Sequence, residues 1–236
     1  MLIVFVTVVA TVFVSLGEWQ LDRLRQRREQ NAVMTANASA PTRPADQIFT
    51  RPVTDADEWQ RVEARGTFDA DHQFVIRYRE NGSADGYEIV TPLRMATGTL
   101  LVDRGFVALQ RGSRIPAAAP APPSGEVVVV GHVRRNEQGR SRAMTPVDGQ
   151  MRLINSEAIA ATLPYPVVNG YLSALSVEPP QSGDLQSIAP PELSEGPHLS
   201  YAVQWFIFTA FAIAGIVFFV RSDLRARREA AVGSAR

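Results

Sequence analysis

Two long apolar segments at the ends of the chain constrain its fold more than any other feature of the sequence. Residues 1–16 read MLIVFVTVVATVFVSL and residues 201–220 read YAVQWFIFTAFAIAGIVFFV, and neither segment carries a charged side chain. At about 1.5 Å per helical residue, the first covers most of a hydrocarbon core of roughly 30 Å and the second spans it. The sequence therefore predicts two transmembrane helices, with the polar stretch between them in water on one side of the bilayer.

The distribution of arginine predicts the orientation of the second segment. No arginine lies between Arg152 and Arg221, whereas the tail contains Arg221, Arg225, Arg227, Arg228 and Arg236. Positive charges favour the cytoplasmic side, so we expect the tail in the cytoplasm and the central domain outside. Four arginines directly after the first segment favour the opposite orientation, but the second segment is longer and its contrast is larger. The first segment has no basic start, which suggests that its natural beginning lies upstream of Met1. It also has no cleavage site close behind it, which favours a retained anchor over a signal peptide.

Between the apolar segments the chain is predicted to be mainly β. Short runs rich in Val, Ile, Tyr and Phe, separated by turn signals, are Arg61–Phe68, Gln73–Arg79, Tyr87–Leu93, Thr99–Val107, Glu126–Arg134, Arg152–Ile154 and Val167–Leu175. Ser156–Leu163 is the one predicted helix of this region, capped by Asn155 or Ser156 and ended by Pro164. The predicted fold class is a membrane α+β protein, in which two transmembrane helices flank a small sheet or partly closed barrel with one short helix.

These patterns divide the chain into six segments. They are a transmembrane helix over 1–17, a juxtamembrane helix and linker over 18–50, a β-rich extracytoplasmic domain over 51–177, a Pro-rich linker over 178–197, a second transmembrane helix over 198–220 and a basic cytoplasmic tail over 221–236. Pro, Ala and Ser also predict linkers at Ala36–Pro44 and Pro116–Ser124.

Composition excludes several classes of function. The 24 basic residues are all arginine and are balanced by 24 acidic residues, so the sequence predicts no nucleic-acid partner. The absence of cysteine excludes thiolate metal sites and a cysteine nucleophile. No G-x-S-x-G motif occurs, and neither His72 nor His132 has an obvious Ser and carboxylate set, so the chain is not expected to be an enzyme. Asp69, Asp71 and His72 resemble a metal site, but a polar hairpin turn is the simpler interpretation.

The start of the second apolar helix carries the candidate site. Pro197 suits the first helical position, after which His198, Tyr201 or Ala202, and Trp205 lie on one face. The positive end of the helix dipole favours neutral imidazole, which is the form that binds haem iron. The alternative is that His198 only caps the helix or forms a hydrogen bond at the membrane surface.

Three other patterns are open to more than one interpretation. Trp19 follows the first apolar segment and is typical of an anchor at headgroup depth. Arg77 and Arg79 alternate with neighbouring apolar residues in a predicted strand, so both are expected to face solvent or a partner. Small residues at Ala210, Ala214 and Gly215 allow close helix packing or lipid contact.

The ordered motifs of the chain resemble those of the Surfeit locus protein 1 family, assembly factors for haem-A-containing cytochrome c oxidase. The matching residues are Leu16-Gly17-x-Trp19-Gln20-x-x-Arg23-Leu24, Pro52-Val53, Arg61-Val62, Gly66-x-Phe68-Asp69, Gly86-Tyr87, Thr91-Pro92-Leu93, Val102-x-Arg104-Gly105 and His198-Leu199-x-Tyr201-Ala202-x-Gln204-Trp205-Phe206. The match covers both apolar segments and the first half of the domain. Departures are Asp103 and Phe106, where family members often show Asn and Trp, and the lack of lysine.

The resemblance implies a multi-pass protein of the bacterial cell membrane with both termini in the cytoplasm. It implies that haem a is held transiently for insertion into the catalytic subunit of the oxidase, with His198 as the iron ligand. By the same resemblance, Tyr201, Gln204 and Trp205 are pocket residues, and Trp19 faces them from the first helix. The expected partners are the lipid bilayer and cytochrome c oxidase subunits, alone or within a larger respiratory supercomplex. The alternative is an accessory subunit that stabilises the oxidase through helix and domain contacts without binding haem.

Overall fold

Long helices lie at both ends of the chain. In the computed structural model, which describes residues 1–110, 113, 115, 119–188 and 193–233, they are α1 (Leu2–Ser39) and α4 (His198–Gly233). Each contains an 18-residue apolar window long enough to cross a membrane, and only 6% of each window is buried. The core helix of a soluble protein would be mostly buried, so these exposed apolar helices indicate a membrane protein.

The described residues between the two helices form eight strands and three short helical segments. The strands are β1 (Arg43–Pro44), β2 (Arg61–Phe68), β3 (Phe74–Asn81), β4 (Ala84–Met95), β5 (Gly98–Ala108), β6 (Glu126–Arg134), β7 (Gln150–Met151) and β8 (Val167–Glu178). The helical segments are a 3-10 turn (Ala45–Gln47), α2 (Ser141–Met144) and α3 (Ser156–Ala160). Contacts group the chain into two compact units, one formed by Met1–Ala32 with Glu192–Arg236 and the other by Val33–Pro191.

The strands form one sheet that closes partly on itself. Their order is β1-β2-β6-β8-β5-β4-β3-β7, and β2 pairs a second time with β4 through Thr67 opposite Arg94 and Phe68 opposite Leu93. This extra pairing joins β2, β6, β8, β5 and β4 into a ring, while β1, β3 and β7 lie outside it. The predicted fold class is therefore confirmed: two apolar helices flank a mainly β domain with a partly closed barrel.

Apolar side chains on the ring strands form the largest buried cluster. Members from all five ring strands include Val62, Leu93, Leu100, Val129 and Leu172, each with an exposed fraction of 0%. Alternating residues of a strand point to opposite faces, so each ring strand supplies every second side chain to this core. A second cluster forms where Ile154 and Ile159, at α3, pack against residues of β3, β4, β5 and β8.

Most predicted strands are found with small shifts at their ends. β2 and β6 have the predicted bounds, whereas the predicted strand Arg152–Ile154 is wrong because pairing ends at Met151 and Ile154 is buried beside α3. α3 ends at Ala160 rather than Leu163, and Asn155 is its N-cap, accepting a hydrogen bond from the Ala158 amide at 3.0 Å.

The predicted linkers have different outcomes. In the first, Ala36–Pro44, the prediction is wrong because α1 continues to Ser39 and Arg43–Pro44 pairs with β2. In the second, residues 116–118 lie outside the described residues and residues 119–124 have no regular structure. The stretch 179–188 is also irregular apart from a bridge between Gln186 and Phe106.

The expectation that Arg79 faces solvent or a partner is wrong because a bulge interrupts β3. The pairing register with β4 shifts between Arg77 and Arg79, and Tyr78 between them has φ of 60°. A bulge ends the simple alternation of side chains along a strand. Arg79 is consequently largely covered, with 17% of its side chain exposed, its Nε 2.7 Å from Glu88 Oε2 and its Nη2 2.7 Å from Glu137 Oε2.

Candidate cofactor site

The first unit is a packed pair of helices, and the predicted site residues lie on this pair. Gly17 of α1 faces Phe206 of α4 so closely that a Cβ added to the glycine would lie 2.8 Å from the phenylalanine ring. One turn earlier on α1, the Phe13 ring centroid lies 5.5 Å from that of Trp205. Leu24 and Ala202 are buried in the same unit. Small and aromatic residues thus allow the two helices to approach closely.

His198 is the first residue of α4, and its ring is oriented by a side chain of α1. Its Nδ1 lies 2.8 Å from Gln20 Oε1. An amide oxygen only accepts hydrogen bonds, so this contact assigns the proton of a neutral imidazole to Nδ1. The other ring nitrogen, Nε2, then carries the free lone pair. A fixed tautomer of this kind is typical of histidines that bind metals.

The loop before His198 lies against the Nε2 edge of its ring. Gly196 has φ of 69°, and a Cβ added there would lie 3.5 Å from Nε2 and 3.4 Å from Cδ2. Its amide donates to Ser194 Oγ at 3.1 Å. Glu195 accepts two hydrogen bonds from Arg28 of α1, at 2.8 and 2.9 Å. The loop is thus tied to α1 while the edge of the ring that carries Nε2 meets a residue without a side chain.

The structure brings some of the predicted site residues together and leaves others apart. His198 and Trp205 both contact α1, through Gln20 and Phe13 respectively. Tyr201 and Gln204 lie on exposed parts of α4, with 47% of the Tyr201 surface exposed. Trp19 is 51% exposed and lies under the guanidinium of Arg23, 5.6 Å from its ring centroid.

Gln20 is the partner of His198 that sequence reasoning missed. It occurs within the motif Leu16-Gly17-x-Trp19-Gln20, but a motif along one helix does not reveal which residue of another helix each side chain contacts. The signal available in the sequence was the three-residue spacing between Gly17 and Gln20. Residues three apart lie on one helical face, so Gln20 follows Gly17 on the face that packs against α4.

The second unit has a different polar cluster at the turn after β2. Asp69 accepts hydrogen bonds from His72 Nδ1 at 3.0 Å, from Arg94 Nη2 at 2.7 Å and from the hydroxyl of Tyr165. Burial alone would raise the pKa of Asp69, but the hydrogen bonds from Tyr165, Arg94 and His72 outweigh it and lower the pKa to about 2. In the described part of the chain, no three His, Asp or Glu residues are grouped as metal ligands. The carboxylate thus ties a polar turn to Arg94 and Tyr165; the predicted hairpin is wrong, because β2 and β3 on either side of this turn pair with other strands and not with each other.

The fold and the helix pair define a class of protein: two membrane-spanning helices with a β domain inserted between them and a histidine at the start of the second helix. The profile of the SURF1 family matches residues 7–210. The chain belongs to the SURF1 family.

Two of three individual relatives match over nearly the whole chain. An uncharacterized SURF1-like protein of Mycobacterium tuberculosis is 29% identical over 228 residues, which cover 94% of this chain and 83% of the relative. A SURF1-like protein of Rickettsia conorii is 26% identical over 223 residues, covering 92% and 88%. A SURF1-like protein of Monosiga brevicollis is 35% identical over a shorter stretch of 116 residues, 42% of each chain.

Proposed function

We propose that this protein assists assembly of haem-A-containing cytochrome c oxidase by holding haem a at His198. The observation that carries the proposal is the 2.8 Å contact between His198 Nδ1 and Gln20 Oε1. With the proton on Nδ1, the lone pair is on Nε2, and the residue beside that nitrogen, Gly196, has no side chain. Neutral imidazole nitrogen is a common axial ligand of haem iron, so the donor chemistry fits this group.

The other residues of the helix pair have supporting roles in this proposal. Trp205 is half-buried against Phe13, and Tyr201 offers an exposed aromatic surface on the same helix. Rings of this kind pack against a large planar apolar molecule and exclude water from its faces. The pairing of Arg28 with Glu195 holds the loop that sets the direction of the His198 ring. Bound iron would contribute a metal–nitrogen bond to the affinity, and the helices would keep water away from the haem.

The proposed location is a bacterial cell membrane, with the β domain outside and both termini in the cytoplasm. Exposed arginines follow α4's apolar stretch at Arg221, Arg225 and Arg228, as expected for a cytoplasmic end. The proposed protein partners are oxidase subunits, alone or within a respiratory supercomplex. Because the role is to hold a cofactor for another protein, we propose no enzymatic activity for this chain.

Haem titration of the full-length protein in detergent tests the role of His198. We expect a Soret band with a histidine-ligated spectrum for the unaltered chain, and loss of that spectrum in His198→Ala. Equal haem binding by both proteins would remove His198 as the ligand. Absence of binding by either would favour the alternative, in which the chain stabilises the oxidase through helix and domain contacts alone.

Gln20→Leu tests the orienting contact separately. Loss of a hydrogen-bonding partner of a metal ligand weakens metal affinity by roughly 10- to 100-fold, so we expect a reduction of about that size with His198 still present. Gln30→Leu is the matched control, since Gln30 lies exposed on α1. Equal haem affinity of Gln20→Leu and Gln30→Leu would show that the contact does not serve ligation.

A further inference from the structure

A groove on the β domain brings together four arginines and an exposed tyrosine. It has a volume of about 660 Å³. The arginines and the tyrosine that line it are Arg77, Tyr78, Arg140, Arg142 and Arg152. We call it the arginine groove. Its one acidic lining residue is Asp148. None of its residues belongs to the helix pair or contributes to the haem proposal.

The four guanidinium groups lack acidic partners in the described part of the chain. Ion pairs form at nine other arginines there, among them Arg51, Arg79 and Arg94, but none forms at Arg77, Arg140, Arg142 or Arg152. Like charges gathered in one concavity repel each other, and a chain with zero net charge has enough carboxylates to pair them. The unpaired arginines are therefore available to an anionic partner.

Tyr78 forms an aromatic platform in the middle of these charges. It is 66% exposed, and the guanidinium carbons of Arg77 and Arg152 lie 5.0 and 4.4 Å from its ring centroid. Its φ of 60° is costly for an aromatic residue, and the bulge in β3 that imposes it turns the ring out of the sheet. A strained backbone at an exposed tyrosine indicates that Tyr78 has a role in binding more than in stabilising the fold.

Backbone contacts hold the groove in a fixed shape. Gln150 and Met151 of β7 pair with β3, so the strand leads directly into Arg152. The Arg152 amide donates to the Ala143 carbonyl of α2 at 2.9 Å, which ties α2 to the same edge. Val147 and Gln150 exchange two hydrogen bonds of 2.9 Å at the turn between them. Three separate segments thus present their arginines to one concavity without rearrangement.

We propose that the arginine groove binds an acidic segment of a partner protein. Arginine matches carboxylates through paired hydrogen bonds, and tyrosine and arginine are the residues enriched at the centres of protein interfaces. Exposed Val147, with 65% of its surface accessible, adds apolar contact beside Tyr78. A nucleic acid needs a longer track of positive charge than this single concavity, and anionic lipid headgroups are the alternative that the vesicle experiment below tests.

Fluorescence anisotropy with a labelled hexaglutamate peptide tests this inference on the full-length chain in phosphatidylcholine nanodiscs. We expect saturable binding that weakens with salt. The triple variant Arg140→Gln, Arg142→Gln, Arg152→Gln should lose on the order of tenfold or more in affinity. The control triple variant Arg43→Gln, Arg61→Gln, Arg65→Gln removes equal charge from exposed positions elsewhere in the domain and should bind normally. Equal weakening of both variants, or no binding by the unaltered chain, would overturn the proposal.

Two further measurements distinguish specific binding in the groove from nonspecific electrostatic attraction. Tyr78→Asn keeps a residue that tolerates positive φ and removes the ring, so it should weaken binding about three- to tenfold without unfolding the chain. Flotation with phosphatidylglycerol vesicles provides the lipid comparison. If the groove variant loses vesicle binding but retains hexaglutamate binding, the groove recognises lipid and the proposal is wrong. Haem titration of the same variants should remain unchanged, which keeps this result independent of the role of His198.

Discussion

Asp103 and Glu88 are carboxyl-bearing residues buried inside the β domain, and the pKa of each is raised. Burial raises the pKa of Glu88 to about 7, although the charge of Arg79 opposes the shift. Burial, followed by the charge of Glu88, raises the pKa of Asp103 well above its usual value. A protonated carboxyl group has the shape of an amide and can also donate a hydrogen bond. This explains how aspartate fits at a fully covered position of the β domain.

We expect Asp103→Asn to stabilise the fold by an amount that grows with pH. A carboxyl group whose pKa is higher in the folded state adds stability below its unfolded pKa, near 4, and loses it as pH rises toward the folded pKa. Asparagine does not ionise, so the variant avoids this loss. Thermal unfolding in detergent at pH 5 and pH 8 should show a larger gain in Tm at pH 8. Asp71→Asn, at an exposed turn residue, should change Tm little, and an equal gain at both pH values in Asp103→Asn would contradict the explanation.

At the scale of secondary-structure elements, the pairing of α1 with α4 depends on a glycine. Gly17 allows the Phe206 ring within 2.8 Å of the position where a Cβ would lie. Gly215, further along α4, has no atom within 4 Å of that position, so the small-residue face of α4 is not used against α1 there. Of the two small-residue sites, the one at Gly17 brings the helices together and thereby sets the distance between Gln20 and His198.

Substitution at these two glycines separates packing from helix propensity. Gly17→Val should destabilise the helix pair by about 1–3 kcal/mol, because the added methyl groups overlap the Phe206 ring. Gly215→Val adds the same side chain in open space and should leave the pair intact. Thermal unfolding in nanodiscs is followed by tryptophan fluorescence in a Trp59→Phe background, which reports on the pair because the two remaining tryptophans, Trp19 and Trp205, both lie in it. Equal Tm values for the two variants would show that the close approach is not needed.

Across the whole molecule, the sequence predicts local patterns well and long-range pairing poorly. Alternating apolar residues predict β2 and β6 with their observed ends, because burial of one face leaves a period of two in the sequence. The closure of the ring depends on two residue pairs between β2 and β4, which no local pattern encodes. The bulge at Tyr78 and the contact of Gln20 with a histidine 178 positions away have the same cause: they arise from packing between elements.

The orientation of the molecule is predicted from the asymmetry of the charges around α4 and can be measured with single cysteines. The chain contains no cysteine, so any introduced thiol is the only one to react. Thr97→Cys lies exposed at the turn between β4 and β5, and Ser222→Cys lies exposed just after the apolar stretch of α4. On intact bacterial cells, a membrane-impermeant maleimide should label Thr97→Cys directly and Ser222→Cys only after permeabilisation, because the arginines beyond residue 220 favour the cytoplasmic side. The reverse pattern would place the β domain in the cytoplasm and His198 at the inner surface of the membrane, where the arginines that follow α1's apolar segment would then determine the topology.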